Sequence, residues 1–273
     1  EIYTLWHTLS LHDALPIWEI RKGNYHFRVS RIRKDEIGNL ALSFNQMSRE
    51  LWLKSLMQKS FGKYVGAEVL EMILVNPESD WLKGRKSHAT ILFTDIRGFT
   101  AYSKSKEPEE VVDRLNEYFE IATNIILRYG GYVDKFVGDA VLGVFGVPIY
   151  YEDHMERAVQ AALDMKNDFC NNGQDCSDTL LNSVGISINT GVVVSGNIGS
   201  QVKMEYTVIG DTVNIASRLN ALAGPGDIII SDSIYTSLKD MLEVEIRPLQ
   251  RIKGRNHPVP VYNITRIKEK NGS

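Results

Sequence analysis

Three stretches of the chain combine residue types that suit phosphate and metal chemistry. The first is TILFTDIRGFT (Thr90 to Thr100), an apolar run that delivers Asp95 at its end and then turns through Gly98 into a helical pattern. A carboxylate there suits a hard cation, and the backbone N–H groups of Gly98, Phe99 and Thr100 suit phosphate oxygens, with Gly98 allowing close approach. The second is DKFVGDAVLGVFG (Asp134 to Gly146), which reads as a hairpin with Gly138-Asp139 at its tip. Each aspartate taken alone is also what a turn requires. Together, on strands of one sheet, they fit a pair of Mg²⁺ ions completed by substrate phosphates. The third is EYTVIGDTVNIASRLN (Glu205 to Asn220), where Asn214 and Arg218 stand four apart on one helix face. An amide and a guanidinium aimed together suit a crowded phosphoryl group, and also suit an ordinary surface helix. The chain has no GxxxxGK[ST] segment, so a Walker-type phosphate loop is not supported.

These residues need a scaffold of strands and helices. After Lys86 short apolar runs alternate with helical stretches. The pattern predicts strands over Ala89 to Thr94, Gly131 to Val137, Ala140 to Val147, Ser183 to Thr190, Gly191 to Gly196, Asp227 to Ser231, Leu242 to Pro248 and Val259 to Ile264. It predicts helices over Pro108 to Tyr129, Glu152 to Asn171, Asp211 to Ala223 and Asp232 to Lys239. The mixture points to a sheet covered on one side by helices. Met155, Ala158, Val159, Ala162 and Met165 follow helical spacing and read as core, which makes His154 on the same helix a core residue as well.

Upstream, Ile37, Leu40, Phe44, Met47 and Leu51 fall at alternating steps of three and four, the seam of a helix that needs a partner. Helical pattern continues from Trp52 to about Leu74, and Asn76-Pro77 followed by Gly84 marks a boundary.

The 273 residues allow one full domain and a smaller module, and 43% hydrophobic with 24% charged residues is an ordinary globular composition. A net charge of −3 argues against a nucleic-acid-coating protein. It hides an asymmetry, with ten Lys/Arg against four Asp/Glu between Glu19 and Lys63, as in segments next to a membrane. No apolar run is long enough to span one. Cys170 and Cys176 lack metal-type spacing and read as free thiols of a reducing compartment. TLSLHDALPI (Thr8 to Ile17) looks like translated adaptor sequence, so residues 1–18 are kept out of the fold argument.

The three chemical stretches, with RIKGRNHPVPVY (Arg251 to Tyr262), strongly resemble the catalytic domain of class III nucleotidyl cyclases over roughly Ser87 to Ile267. DEIGNLALSFNQMSREL (Asp35 to Leu51) is similar to the second helix of a HAMP linker. The resemblance implies a partial HAMP linker over 19–56, a connector over 57–86 and a catalytic domain over 87–268. The domain would be α+β, with a ferredoxin-like βαββαβ core and helices on a mainly antiparallel sheet. Asp95 and Asp139 match the metal-binding aspartates, with the Ile96 carbonyl as a further ligand to two Mg²⁺ or Mn²⁺. Asn214 matches the ribose-orienting residue, Arg218 the one that stabilises charge on the α-phosphate, and Lys253 the lysine that grips the terminal phosphates. Lys135 and Thr207 match the base-selecting positions. An ammonium only donates, which suits adenine N1 and opposes guanine N1–H, and a hydroxyl can accept from the adenine 6-amino group.

The expected activity is therefore conversion of ATP to cyclic AMP and pyrophosphate, at sites shared between the chains of a homodimer. A guanylate cyclase and a catalytically silent nucleotide-sensing or dimerisation module are the competing readings. The resemblance also implies a cytoplasmic catalytic domain whose full-length protein is anchored in the cell membrane by an upstream region missing here. Thr207, where many adenylyl cyclases carry Asp, is similar to the subgroup that includes bicarbonate-responsive enzymes; a flat activity curve on adding bicarbonate at fixed pH would remove that expectation. Val192 stands where some members carry a phosphate-binding Arg, which leaves more of that contact to Lys253.

Overall fold

The computed structural model describes residues 16–30, 33–65, 84–171, 180–200, 202–251 and 257–268. The chain divides into two compact units, Glu1–Val75 and Asn76–Ser273.

In the first unit helix α1 (Glu36–Val65) runs unbroken, and the Asp35 carboxylate accepts from the Gly38 amide at 3.0 Å to cap its start. The preceding extended segment is laced to this helix by side chains that replace a strand partner. Asn45 accepts from the Val29 amide at 2.8 Å and donates to the Val29 carbonyl at 3.0 Å. Ser48, with no exposed surface, donates to the Tyr25 carbonyl at 2.9 Å. The Phe27 ring meets the Phe44 ring edge-on, so one member of the apolar seam is covered from within, while Ile37, Leu40 and Met47 remain exposed.

The second unit is built on an eight-stranded sheet. Its elements in chain order are β1 (Arg85–Ile96), α2 (Phe99–Lys104), α3 (Pro108–Arg128), β2 (Tyr132–Val137), β3 (Ala140–Phe145), α4 (His154–Asn171), a 3₁₀ turn (Leu181–Ser183), β4 (Val184–Gly199), β5 (Met204–Ile209), α5 (Asp211–Asn220), β6 (Ile228–Ser231), α6 (Asp232–Leu238), β7 (Leu242–Gln250) and β8 (Val259–Ile267). The strand order is β2-β3-β1-β4-β6-β8-β7, with β5 paired to β4. Among the described residues only the β4–β6 pair is parallel. The first four strands and their helices form the expected βαββαβ core.

Period-two alternation along β1 divides the interior in two. Leu92 and Ile96 join Tyr118, Ile125 and Ile126 of α3, Val159 and Met165 of α4, and Ile234 of α6. Ala89, Ile91 and Phe93 point the other way, to Val208 of β5 and Ala216 of α5. Helices therefore cover both faces, where the sequence pattern suggests one. Ser187 and Asn189 make β4 look solvent-facing on that side. In the fold both are buried, donating to the Ala216 and Thr212 carbonyls of α5 at 2.8 Å each. The expected break of β4 at Gly191 is also absent. That glycine lies where a Cβ would come within 2.8 Å of Thr212 Oγ1, so it admits α5 rather than ending the strand.

His154 behaves as a core residue: it is 3% exposed and its Nδ1 lies 2.7 Å from Thr90 Oγ1. The side chain of Cys170, and Cys176 altogether, lie outside the described residues. Among the described residues no helix is long and apolar enough to cross a membrane.

Candidate functional site

Asp95 is the penultimate residue of β1, opposite Gly185 of β4. Strand β3 runs antiparallel beside β1, with Thr94 opposite Val141, so the hairpin residue Asp139 sits at the same strand end as Asp95. Burial raises the Asp95 carboxyl above its ordinary value, Arg97 at 3.5 Å partly offsets this, and Asp139 pushes it up again. The strand is fixed from behind, where Thr94 and the fully buried Tyr118 of α3 share a hydrogen bond.

Gly98 takes the turn out of β1 with φ of 76° and opens α2. That left-handed conformation is available to glycine at little cost. The amides of Phe99 and Thr100 belong to the first turn of α2, which offers no intrahelical carbonyl to either.

The residues at this strand end fit hard divalent cations. Two carboxylates and the Ile96 carbonyl are oxygen donors, and burial, with a smaller push from Asp139, disfavours the bare Asp95 carboxylate, a cost that a cation would relieve. Among the described residues no cluster of three or more His, Cys, Asp or Glu side chains forms, so a complete shell would need the carbonyl and ligand oxygens as well.

A second group forms around β2 and β5. Lys135 Nζ lies 3.2 Å from Glu205 Oε2 and 3.6 Å from Asp134 Oδ2. Thr207 donates its hydroxyl proton to Asp134 at 2.9 Å. The two residues expected to read the base are thus joined through one carboxylate. On a regular strand Asp134 and Lys135 would face opposite ways, but the register of β2 against β3 shifts between Val133 and Lys135 and both side chains reach the same group. Burial, the largest influence, raises the Asp134 carboxyl to about 6, against the lowering effects of Thr207 and Lys135. Asp134 and Glu205 carry no role in the sequence reading; the only signal for them is an acidic residue near each base-reading position, Asp134 next to Lys135 and Glu205 two before Thr207.

The third group is α5. Thr212, Ile215, Ala216 and Leu219 bury against the sheet, and Thr212 Oγ1 donates to the Val192 carbonyl at 2.7 Å. Asn214 and Arg218 stand on the opposite, outer face of this helix. At its end Asn220, 4% exposed, donates to the carbonyls of Phe93 at 3.1 Å and Gly185 at 3.0 Å and accepts from Arg97. Val192 is exposed. Lys253 lies outside the described residues.

Paired carboxylates at one strand end, and an amide and a guanidinium on an outward helix face, are groups suited to cations and phosphoryl oxygens. Residues 82–266 match the adenylate and guanylate cyclase catalytic domain. The chain belongs to that family. It is 32% identical over 250 residues to an adenylate cyclase of Anabaena cylindrica, covering 85% of this chain and 49% of that protein. The crystal structure of the adenylyl cyclase CyaB from P. aeruginosa superposes with a TM-score of 0.65 at 34% identity, over 70% of this chain and all of that one. The guanylyl cyclase Cya2 superposes with a TM-score of 0.64 at 35% identity, over 69% of this chain and 96% of that one. The chain spans between 41% and 49% of the length of the first of its curated relatives.

Proposed function

We propose that the chain is the catalytic part of an adenylate cyclase, converting ATP to cyclic AMP and pyrophosphate at sites shared by two copies. The observation that carries the base preference is the joining of Lys135 and Thr207 through Asp134. An ammonium that donates and a hydroxyl that has room to accept match the N1 and 6-amino positions of adenine.

In this reading Asp95, the Ile96 carbonyl and Asp139 hold two Mg²⁺ or Mn²⁺ ions. Bound there, the ions supply Lewis-acid activation of the ribose 3′-hydroxyl and neutralisation of the departing pyrophosphate. The chain's own groups orient the reactants. The amides of Gly98, Phe99 and Thr100 receive phosphate oxygens, Asn214 holds the ribose, Arg218 meets charge on the α-phosphate, and Lys253 grips the terminal phosphates. The 3′-oxygen forms a bond to the α-phosphorus, the bond to the β-phosphate oxygen breaks, and the hydroxyl proton leaves to solvent.

Two features support sharing between copies. Asn214 and Arg218 face away from their own sheet. Val192, Val202, Met204 and Ile209 on β4, β5 and their connection are exposed apolar residues, as are Phe136 and Val137 on the β2–β3 hairpin. For the first unit we propose a partial HAMP-type linker, whose outward Ile37, Leu40 and Met47 pair with the same helix of a second copy. An upstream membrane anchor and sensor belong to the same proposal.

The test is product formation by the purified chain, supplied with ATP or GTP and with Mg²⁺ or Mn²⁺, beside an Asp139→Ala control. Cyclic AMP that disappears in the control is the expected result. Cyclic GMP instead would replace the base reading by that of a guanylate cyclase, and no product from a folded dimer would leave a silent module.

A further inference from the structure

Between Lys135 and Thr207 stands the side chain that joins them, and the proposed mechanism gives it no contact with substrate. The Asp134 side chain has no exposed surface and its Oδ2 lies 3.6 Å from Lys135 Nζ. It accepts the Thr207 hydroxyl proton at 2.9 Å, and the Tyr132 hydroxyl reaches its other oxygen at 3.5 Å. The remaining charges around it are Glu205, 3.2 Å from Lys135 Nζ, and Lys203, 3.3 Å from Glu205.

A hydroxyl carries one proton and two lone pairs, whereas an ionised carboxylate can only accept. Once the Thr207 proton is committed to Asp134, the threonine oxygen can only accept from any other group. Adenine offers an amino donor at its 6-position, and guanine offers an acceptor oxygen at the same place. We propose that Asp134 is a specificity-determining residue, which takes the Thr207 proton, fixes that hydroxyl as an acceptor, and so sets the pocket for adenine against guanine. The inference rests on the reading of Lys135 and Thr207 as the base-contacting pair. Without the carboxylate the hydroxyl would rotate, accepting from adenine or donating to guanine, and discrimination at this position would be lost. Burial adds force to the arrangement, because a hydrogen bond in a medium of low dielectric is harder to exchange for water.

The experiment measures kcat/KM of the full chain for ATP and for GTP, and, independently of turnover, displacement of a fluorescent methylanthraniloyl-ATP by each nucleotide. Asp134→Ala is expected to lower the ATP-to-GTP ratio at least about tenfold, the effect of one mismatched buried hydrogen bond. Asp134→Asn, whose side-chain carbonyl still accepts, is expected to keep the ratio within about threefold. In a Thr207→Val background Asp134→Ala should change the ratio no further.

A purely structural part for Asp134 would depress both nucleotides alike. An unchanged ratio in Asp134→Ala, from a wild-type chain that prefers ATP, overturns the proposal and leaves the adenylate cyclase reading intact. A wild-type chain that prefers GTP overturns both. Should Asp134→Ala fail to fold, Thr207→Val decides: an unchanged ratio there overturns the proposal, since Asp134 acts only through that hydroxyl.

Discussion

Arg97 donates to the side-chain carbonyl of Asn220, which ties the turn after Asp95 to the last residue of the helix that carries Asn214 and Arg218. The same asparagine amide bridges β1 and β4 through the Phe93 and Gly185 carbonyls. Three elements thus meet on one buried polar side chain.

Asn220→Ala would strip partners from two carbonyls and a guanidinium in one step. A loss of roughly 2–4 kcal/mol is expected, because buried polar groups are left unsatisfied. For a domain of this size that lowers Tm by about 5–10 °C, read by thermal unfolding of the variant against the parent. An unchanged Tm would show the bridge to be replaceable by water.

Asp134 gives the stability of the domain a pH dependence of definite sign. Its folded value of about 6 lies above the ordinary 3.8, so the folded state holds the proton more tightly. This contribution is fully present below pH 4 and is lost as pH rises through 6. Asp134→Asn carries no such loss. Its stability relative to the parent should therefore rise by roughly 3 kcal/mol between pH 4 and pH 7.5, measured by denaturant unfolding at the two values. A gap that is constant with pH would mean the carboxyl is not held up.

The neighbours of Lys135 bear on any attempt to exchange base preference. Lys135→Glu alone would set a third carboxylate beside Asp134 and Glu205. Like charges at such distances disfavour one another, so the single variant should lose ATP turnover without gaining GTP turnover. Adding Glu205→Gln removes one of the three. The double variant should then use GTP at least about tenfold better than the single one, measured as kcat/KM.

Sharing of sites makes a quantitative forecast. Asp95→Ala chains and Asn214→Ala chains should each be inactive alone. In a mixed dimer one site carries both lesions and the other carries none. Random mixing in equal amounts should restore roughly a quarter of parental activity, since half the dimers are mixed and half their sites are intact. No recovery from a mixture shown to exchange subunits would mean that each site is built within one chain.

How far the sequence could be read follows from what each signal depends on. The core of α4 was legible because Ala158, Val159, Ala162 and Met165 repeat at helical spacing and bury as that spacing requires. Strand β5 was not, since Met204–Ile209 is short, half exposed and carries a charged residue. The second layer of helix was hidden because Ser187 and Asn189 are polar, and a polar residue looks the same whether it meets water or a helix carbonyl. Asp95 and Asp139 could be picked out by their strand ends. The link from Thr207 to Asp134 could not, because it depends on a register shift in β2 that no periodicity announces.

Strand β4 runs sixteen residues without interruption, and β1, β5 and β6 all take their register from it. Such a strand tolerates exchange of letters far better than a change in their number. One residue inserted near Gly191 would invert the parity of everything beyond it, turning buried Ser195 outward and presenting exposed Val192 to the interior. The frame of β4 therefore acts as a shared ruler, so that evolutionary lengthening or shortening of this domain belongs in its loops.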